Sequence, residues 1–169
     1  RFVTMKKITA ISVVSLLLLA SCGGKGKDAA SMDYGLEEAN EVISYYNTSI
    51  DITKKMVDMG EISKIIDYMQ KNGKTLVAPV VIRTPVSATD TTALLNPGDC
   101  FPSSAADSLK MYYRRFFDVS KRLYANYDTY RAYIKAEDYK DDNYAKGNEI
   151  CKEEKELAEQ IPGLRSQIY

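Results

Sequence analysis

Any chemistry in this chain has to be done without histidine, because its 169 residues contain none. That absence removes the Ser-His-Asp and Cys-His catalytic arrangements and the commonest transition-metal ligand. Carboxylate catalysis and calcium binding stay open. Ser31, Ser103 and Ser104 have no base nearby in sequence and no nucleophile elbow around them. Neither a P-loop nor a GxGxxG fingerprint is present. The acid-rich run Glu137 to Asn143 lacks the alternate-position oxygens and central glycine of a calcium loop, so helix capping accounts for it. No carboxylate pair sits where burial can be argued for acid–base work. The expectation is therefore no catalytic residue, no cofactor and no metal ligand.

Three cysteines remain, with no CxxC pair and no zinc-like spacing. Cys22 stands out through what precedes it. Met5-Lys6-Lys7 is a short cationic head, Ile8 to Leu19 is almost wholly apolar, and Leu19-Ala20-Ser21 leads straight into the cysteine. This is the form of a bacterial secretory signal ending in a lipobox, with cleavage after Ser21 and acyl chains on Cys22. The apolar run is about a dozen residues, shorter than the roughly 20 a membrane-spanning helix needs. Cys100 and Cys151 would then sit in a compartment that permits disulfides, and either a bridge between them or two buried free thiols is consistent with the sequence.

Tyrosine is the compositional outlier, with 13 Tyr and no Trp. A phenol ring offers an apolar face and a polar tip. Tyr113, Tyr127 and Tyr130 could line a groove for a glycan, peptide or lipid. The alternative, favoured because Tyr46, Tyr112 and Tyr130 fall on core-phase positions, is that the rings fill the core and place their hydroxyls at its rim.

These side chains need elements to hold them. Arg1 to Thr4 read as upstream read-through, residues 5–21 as the signal peptide, and residues 22–31 as a Gly/Lys-rich tether to a domain over 32–169. Leu36, Ala39, Ile43, Tyr46, Ile50, Thr53 and Val57 alternate threes and fours, which predicts a helix with one inward stripe. The phase breaks at Gly60, so a kink there precedes a shorter helix carrying Ile62, Ile65, Ile66 and Met69, stopped by Asn72-Gly73. Lys74 to Ser103, with Pro79, Pro85, Pro97 and Pro102, reads as a long crossover whose apolar part packs on the helices.

Ser104 opens a second long helix. Leu109, Tyr112, Phe116, Val119, Leu123, Asn126, Tyr130 and Tyr133 form one stripe, with Tyr113, Tyr127 and Ile134 beside it. Asp138 to Asn143 is a turn from which Asn143 or an aspartate can cap a last helix. That helix has Ile150, Leu157 and Ile161 inward and stops at Pro162-Gly163. The charged cluster Lys152 to Glu156 reads as a solvated face. The fold class is all-α: an antiparallel helical bundle of two long and two shorter helices with a long Pro-containing crossover, the signal helix lying outside it.

The lipobox is followed by Tyr45-Tyr46-Asn47-Thr48-Ser49-Ile50-Asp51, by the Pro-containing crossover, by Tyr124-Ala125-Asn126-Tyr127-Asp128-Thr129-Tyr130, and by Tyr139 to Gly147. In this the chain resembles the YiiG-like family of bacterial lipoproteins, over most of Leu36 to Ile161. The resemblance implies a helical domain without an assigned activity and supplies no active site. Members are often longer, which makes Leu164 to Tyr169 read as a truncated continuation.

Charge points away from nucleic acid. Bases and acids number 23 each; Arg1, Lys6 and Lys7 precede Cys22 and no acid does, so the remainder carries three more acids than bases. No basic patch with interleaved aromatics stands out. The expected object is a non-enzymatic, lipid-anchored bundle at the cell membrane or outer membrane, facing the periplasm or exterior. Its partners would be the membrane, through the lipid, and an envelope protein or glycan. A periplasmic ligand-binding module and a carboxylate-dependent hydrolase of envelope polymers are the alternatives.

Overall fold

A computed structural model describes residues 35–73, 77–81, 83 and 86–169. The signal, the Ser21–Cys22 junction and the tether lie outside the described residues. Those described form helices and connections, with no strand among them. The helices are α1 (Leu36–Met56), α2 (Met59–Gln70), α3 (Ala88–Leu95), α4 (Ser103–Ala136), the single turn α5 (Tyr139–Asp142) and α6 (Ala145–Ile168). The chain is an all-α bundle, as its periodicity requires.

The 34 residues of α4 make a rod of about 50 Å at 1.5 Å per residue. Both stripes expected on it face inward: Leu109, Tyr113, Phe116, Val119, Leu123, Tyr127, Tyr130 and Tyr133 are buried. Helix α6 folds back along it, and Arg122 pairs with Glu153 and Arg115 with Gln160 across the antiparallel junction. Helices α1 and α2 form a broken first rod. Ser49 bonds Tyr113, Tyr124 bonds Glu61 and Tyr130 bonds the Met69 carbonyl, so partner numbers rise together and this rod runs parallel to α4. A parallel neighbour requires a long return connection, and the crossover supplies it.

Four local expectations are corrected. The inward face of α1 holds Ser49, Ile52 and Thr53, while Leu36 (84%) and Ile43 (57%) are exposed. Thr53 and Val57 of the expected stripe are buried, and Ser49, off that stripe, is satisfied inside by its hydrogen bond with Tyr113 as Thr53 is by Tyr169. The break falls at Val57-Asp58, where the Asp58 carboxylate caps α2 by accepting from the Gly60 and Glu61 amides at 2.7 and 3.2 Å. The crossover contains a helix, α3, opened by a reciprocal cap in which Ser87 Oγ accepts from Asp90 N and Asp90 accepts from Ser87 N. Helix α6 runs through Pro162 to Ile168. An interior proline costs a helix about 3 kcal/mol. Burial of Leu164 and Ile168, each worth about 1.5–3 kcal/mol, offsets that, and Arg165 adds hydrogen bonds to the Thr53 and Val57 carbonyls at 2.9 and 2.6 Å.

Candidate functional site

The tyrosines settle first. Tyr113, Tyr127 and Tyr130 have no exposed surface, so the groove considered for them is not formed; they are core. Their hydroxyls tie α4 to other elements. Tyr127 donates to the Pro79 carbonyl at 2.6 Å, Tyr130 to the Met69 carbonyl at 3.1 Å, and Tyr113 shares a hydrogen bond with Ser49. Tyr45 donates to the Leu94 carbonyl at 2.7 Å, and Tyr133 to Asp142 at 2.6 Å. Edge-on ring contacts run from Tyr45 and Phe101 (5.0 Å) at one end to Tyr68 and Tyr130 (5.9 Å) at the other.

No bridge joins Cys100 and Cys151, and both are free thiols. Cys100 is in electrostatic range of Tyr45, which packs on Tyr113, whereas Cys151 is in electrostatic range of Tyr130. Tyr113 and Tyr130 are 17 residues apart on one helix, about 25 Å, far beyond disulfide reach of roughly 7 Å between Cα atoms. Burial pushes both thiols up, so neither is an activated nucleophile. The acidic turn caps as expected of it: Asp142 accepts from the Lys146 amide at 3.0 Å in the first turn of α6. Among the described residues no cluster of three or more His, Cys, Asp or Glu could hold a metal ion.

The side chains the structure brings together instead stand at the elbow between α1 and α2. A cleft of about 590 Å³ opens there, floored by Tyr124 of α4 and walled by Pro79 and Val80 of the crossover. Lys54 and Lys55 from the last turn of α1 and Lys64 from α2 rim it, with Asp58, Gly60 and Glu61 between them. The acids are committed: Asp58 caps α2, and Glu61 accepts from the Tyr124 hydroxyl at 3.3 Å. Burial, then Glu61, pushes that hydroxyl up to about 12. Arg83 lies 5.1 Å from the Tyr124 ring centre and pairs with Asp128 at 2.6 Å. None of the three lysines has an ion-pair partner among the described residues, and the lining holds three basic side chains against the two acids. A β-carbon at Gly60 would stand 3.1 Å from the Asp58 carboxylate, so the glycine keeps room for the cap.

Sequence reasoning missed this cleft. The lysines flank a helix break and meet a crossover some twenty residues further on, and only the Lys54-Lys55 pair beside that break hinted at it.

A family model for a domain of unknown function, DUF6845, matches residues 33–169, and the chain belongs to that family. The chain is similar to a solved DUF3829 family protein from Bacteroides vulgatus, with 37% identity, a TM-score of 0.71, and coverage of 78% of this chain and 86% of that one. It is also similar to an alpha helical protein from Bacteroides fragilis, with 32% identity, a TM-score of 0.65 and 78% of this chain covered. The matched part spans half the length of that second protein, at 50%. No curated protein matches the chain.

Proposed function

We propose that this is a lipid-anchored protein of the bacterial cell envelope, cleaved after Ser21 and acylated on Cys22, whose helical bundle binds an envelope protein or glycan and does no bond-making chemistry. The observation that carries the anchor is the sequence Met5 to Cys22: cationic head, apolar core and Leu19-Ala20-Ser21-Cys22. Two or more acyl chains exceed the threshold for stable membrane attachment. No described helix is long and apolar enough to cross a membrane, so attachment of this domain falls to the lipid in this reading. The finer likeness to YiiG-like lipoproteins belongs to the same proposal and rests on the lipobox and the tyrosine-rich segments. Radiolabelled palmitate should mark the wild-type chain in bacterial cells and leave Cys22→Ser unlabelled. Equal labelling of both refutes the anchor.

The elbow cleft favours a second reading, a ligand-binding module with the crossover as one wall. Three uncommitted lysines beside the Tyr124 ring suit an acidic glycan or acidic peptide rather than a neutral one. Thermal-shift screening of the whole chain should then show stabilisation by acidic ligands, lost in Lys54→Gln/Lys64→Gln. Flat profiles across acidic and neutral glycans, peptides and lipids refute it. Hydrolysis by paired carboxylates has less support, because the two acids in the cleft are held by a helix cap and a tyrosine.

A further inference from the structure

Glu154 is an acidic side chain with no exposed surface, and neither of its carboxyl oxygens has a hydrogen-bond partner among the described residues. Anchoring contacts set what it faces. Arg165 reaches the Val57 carbonyl, while Gly147 lies against the Tyr130 ring, whose hydroxyl meets the Met69 carbonyl. The antiparallel register these define brings Glu154 level with the turn of α2 around Ile65. On α4, the pairs Arg122–Glu153 and Arg115–Gln160 bring it level with Val119 to Leu123. Ile65, Met69, Val119 and Leu123 are all buried, so the carboxyl stands at an apolar three-helix junction.

The charged groups nearest in register on α2 and α4 are exposed or paired at the surface. On α2, Glu61 holds Tyr124, Lys64 rims the cleft, and Asp67 pairs with Lys71 at the surface. On α4, Arg122 is tied to Glu153, Lys121 lines a groove with Lys55 and Phe117, and Asp118 is exposed. Tyr127 and Tyr130 donate their hydroxyls to backbone carbonyls. On α6, Arg165 is bound to α1 carbonyls, Lys152 pairs with Glu156, and the adjacent Glu153 repels a charge on Glu154. Cys151, one turn before it on α6, is a buried thiol whose ionisation a charge on Glu154 disfavours, and the half-buried neighbour Lys155 makes no ion pair with Glu154 among the described residues. A carboxylate here would be desolvated without a hydrogen-bonded cation.

We infer that α6 is latched into the bundle by a proton on Glu154, which makes the α2–α4–α6 junction a pH-sensitive conformational device. Burial, with Glu153 adding to it, pushes this carboxyl up to about 8. In the unfolded chain a glutamate ionises near 4.3. Between those values the unfolded state has lost the proton that the folded state keeps. Stability from this group is therefore fully present below about pH 4 and is lost as pH rises through about 8, at a tenfold increase in the unfolding constant per pH unit.

The test is urea unfolding of the whole chain from pH 5 to pH 9, wild type against Glu154→Gln, the neutral isostere of the protonated acid. The wild-type unfolding constant should rise, relative to the variant, about tenfold per unit up to about pH 8. Parallel pH profiles overturn the inference. Should the glutamine variant fail to fold, the carboxyl carbon resonance of Glu154 in the wild-type chain decides. A titration midpoint above 7 upholds the latch, and a midpoint at or below 7 overturns it.

Discussion

Gly147 shows how little room the α4–α6 junction leaves. A β-carbon there would stand 2.9 Å from Tyr133 Cε1 and 3.4 Å from Tyr130 Cε2. The Tyr133 ring is fixed at its far end by the hydrogen bond to Asp142, so it has no easy retreat. Overpacking of this kind costs about 1–3 kcal/mol, against about 1 kcal/mol that alanine gains over glycine in a helix. Gly147→Ala should therefore destabilise the chain by about 1 kcal/mol in urea unfolding. Gly163, on the same helix with nothing within 4 Å of its missing β-carbon, should respond with the opposite sign. Gly163→Ala should stabilise by about 0.5–1 kcal/mol. Two shifts of the same sign would contradict the packing described. Glu154 carries the residue-scale lesson about sequence. It sits among Lys152-Glu153-Glu154-Lys155-Glu156, whose composition reads as solvent-facing, yet Ile150, Glu154, Leu157 and Ile161 are spaced four, three and four apart. Helical phase pointed inward where composition pointed out, and phase was right.

Between elements, tyrosine hydroxyls do much of the joining. A sheet-free bundle has no ladder to fix the order of its helices, and here α4 reaches α1, α2, α5 and the crossover with phenols. Tyr127 matters most for the crossover, because its bond to the Pro79 carbonyl holds the wall of the elbow cleft. Tyr127→Phe keeps the ring in the core and removes that bond, at a cost of about 1 kcal/mol. Amide exchange at Val80 and Val81 should quicken in this variant while the middle of α4 stays protected. Unchanged exchange in the crossover would show that apolar packing alone holds it. The two stripes of α4 were legible because large apolar residues line both. The phase of α1 was legible only at its end, where Thr53 and Val57 are buried as expected; Ser49 is inward with its hydroxyl bonded, and apolar spacing cannot count it. Helix α3 hid behind small polar residues whose capping chemistry, Ser87 with Asp90, was the available signal. The run of α6 through Pro162 depends on Leu164, Ile168 and Arg165 finding partners on a distant rod, which no local rule contains.

For the whole molecule, helical periodicity and the proline-rich return were enough to read an all-α bundle. The parallel course of the first rod beside α4 needed contacts between helices 60 residues apart. The same limit hid the elbow cleft, whose lysines, crossover wall and Tyr124 floor come from four separate stretches of chain. Membership of a family of unknown function with solved helical relatives in Bacteroides fits the bundle and leaves activity to experiment. The proposed envelope placement rests on Cys22 and its leader. The most direct measurement is intact mass spectrometry of the amino-terminal peptide recovered from the membrane fraction of a bacterial host. The account predicts a peptide beginning at Cys22 with added diacylglycerol and acyl mass. A chain recovered chiefly from the soluble fraction, with Met5 to Ser21 still attached and Cys22 unmodified, would contradict it.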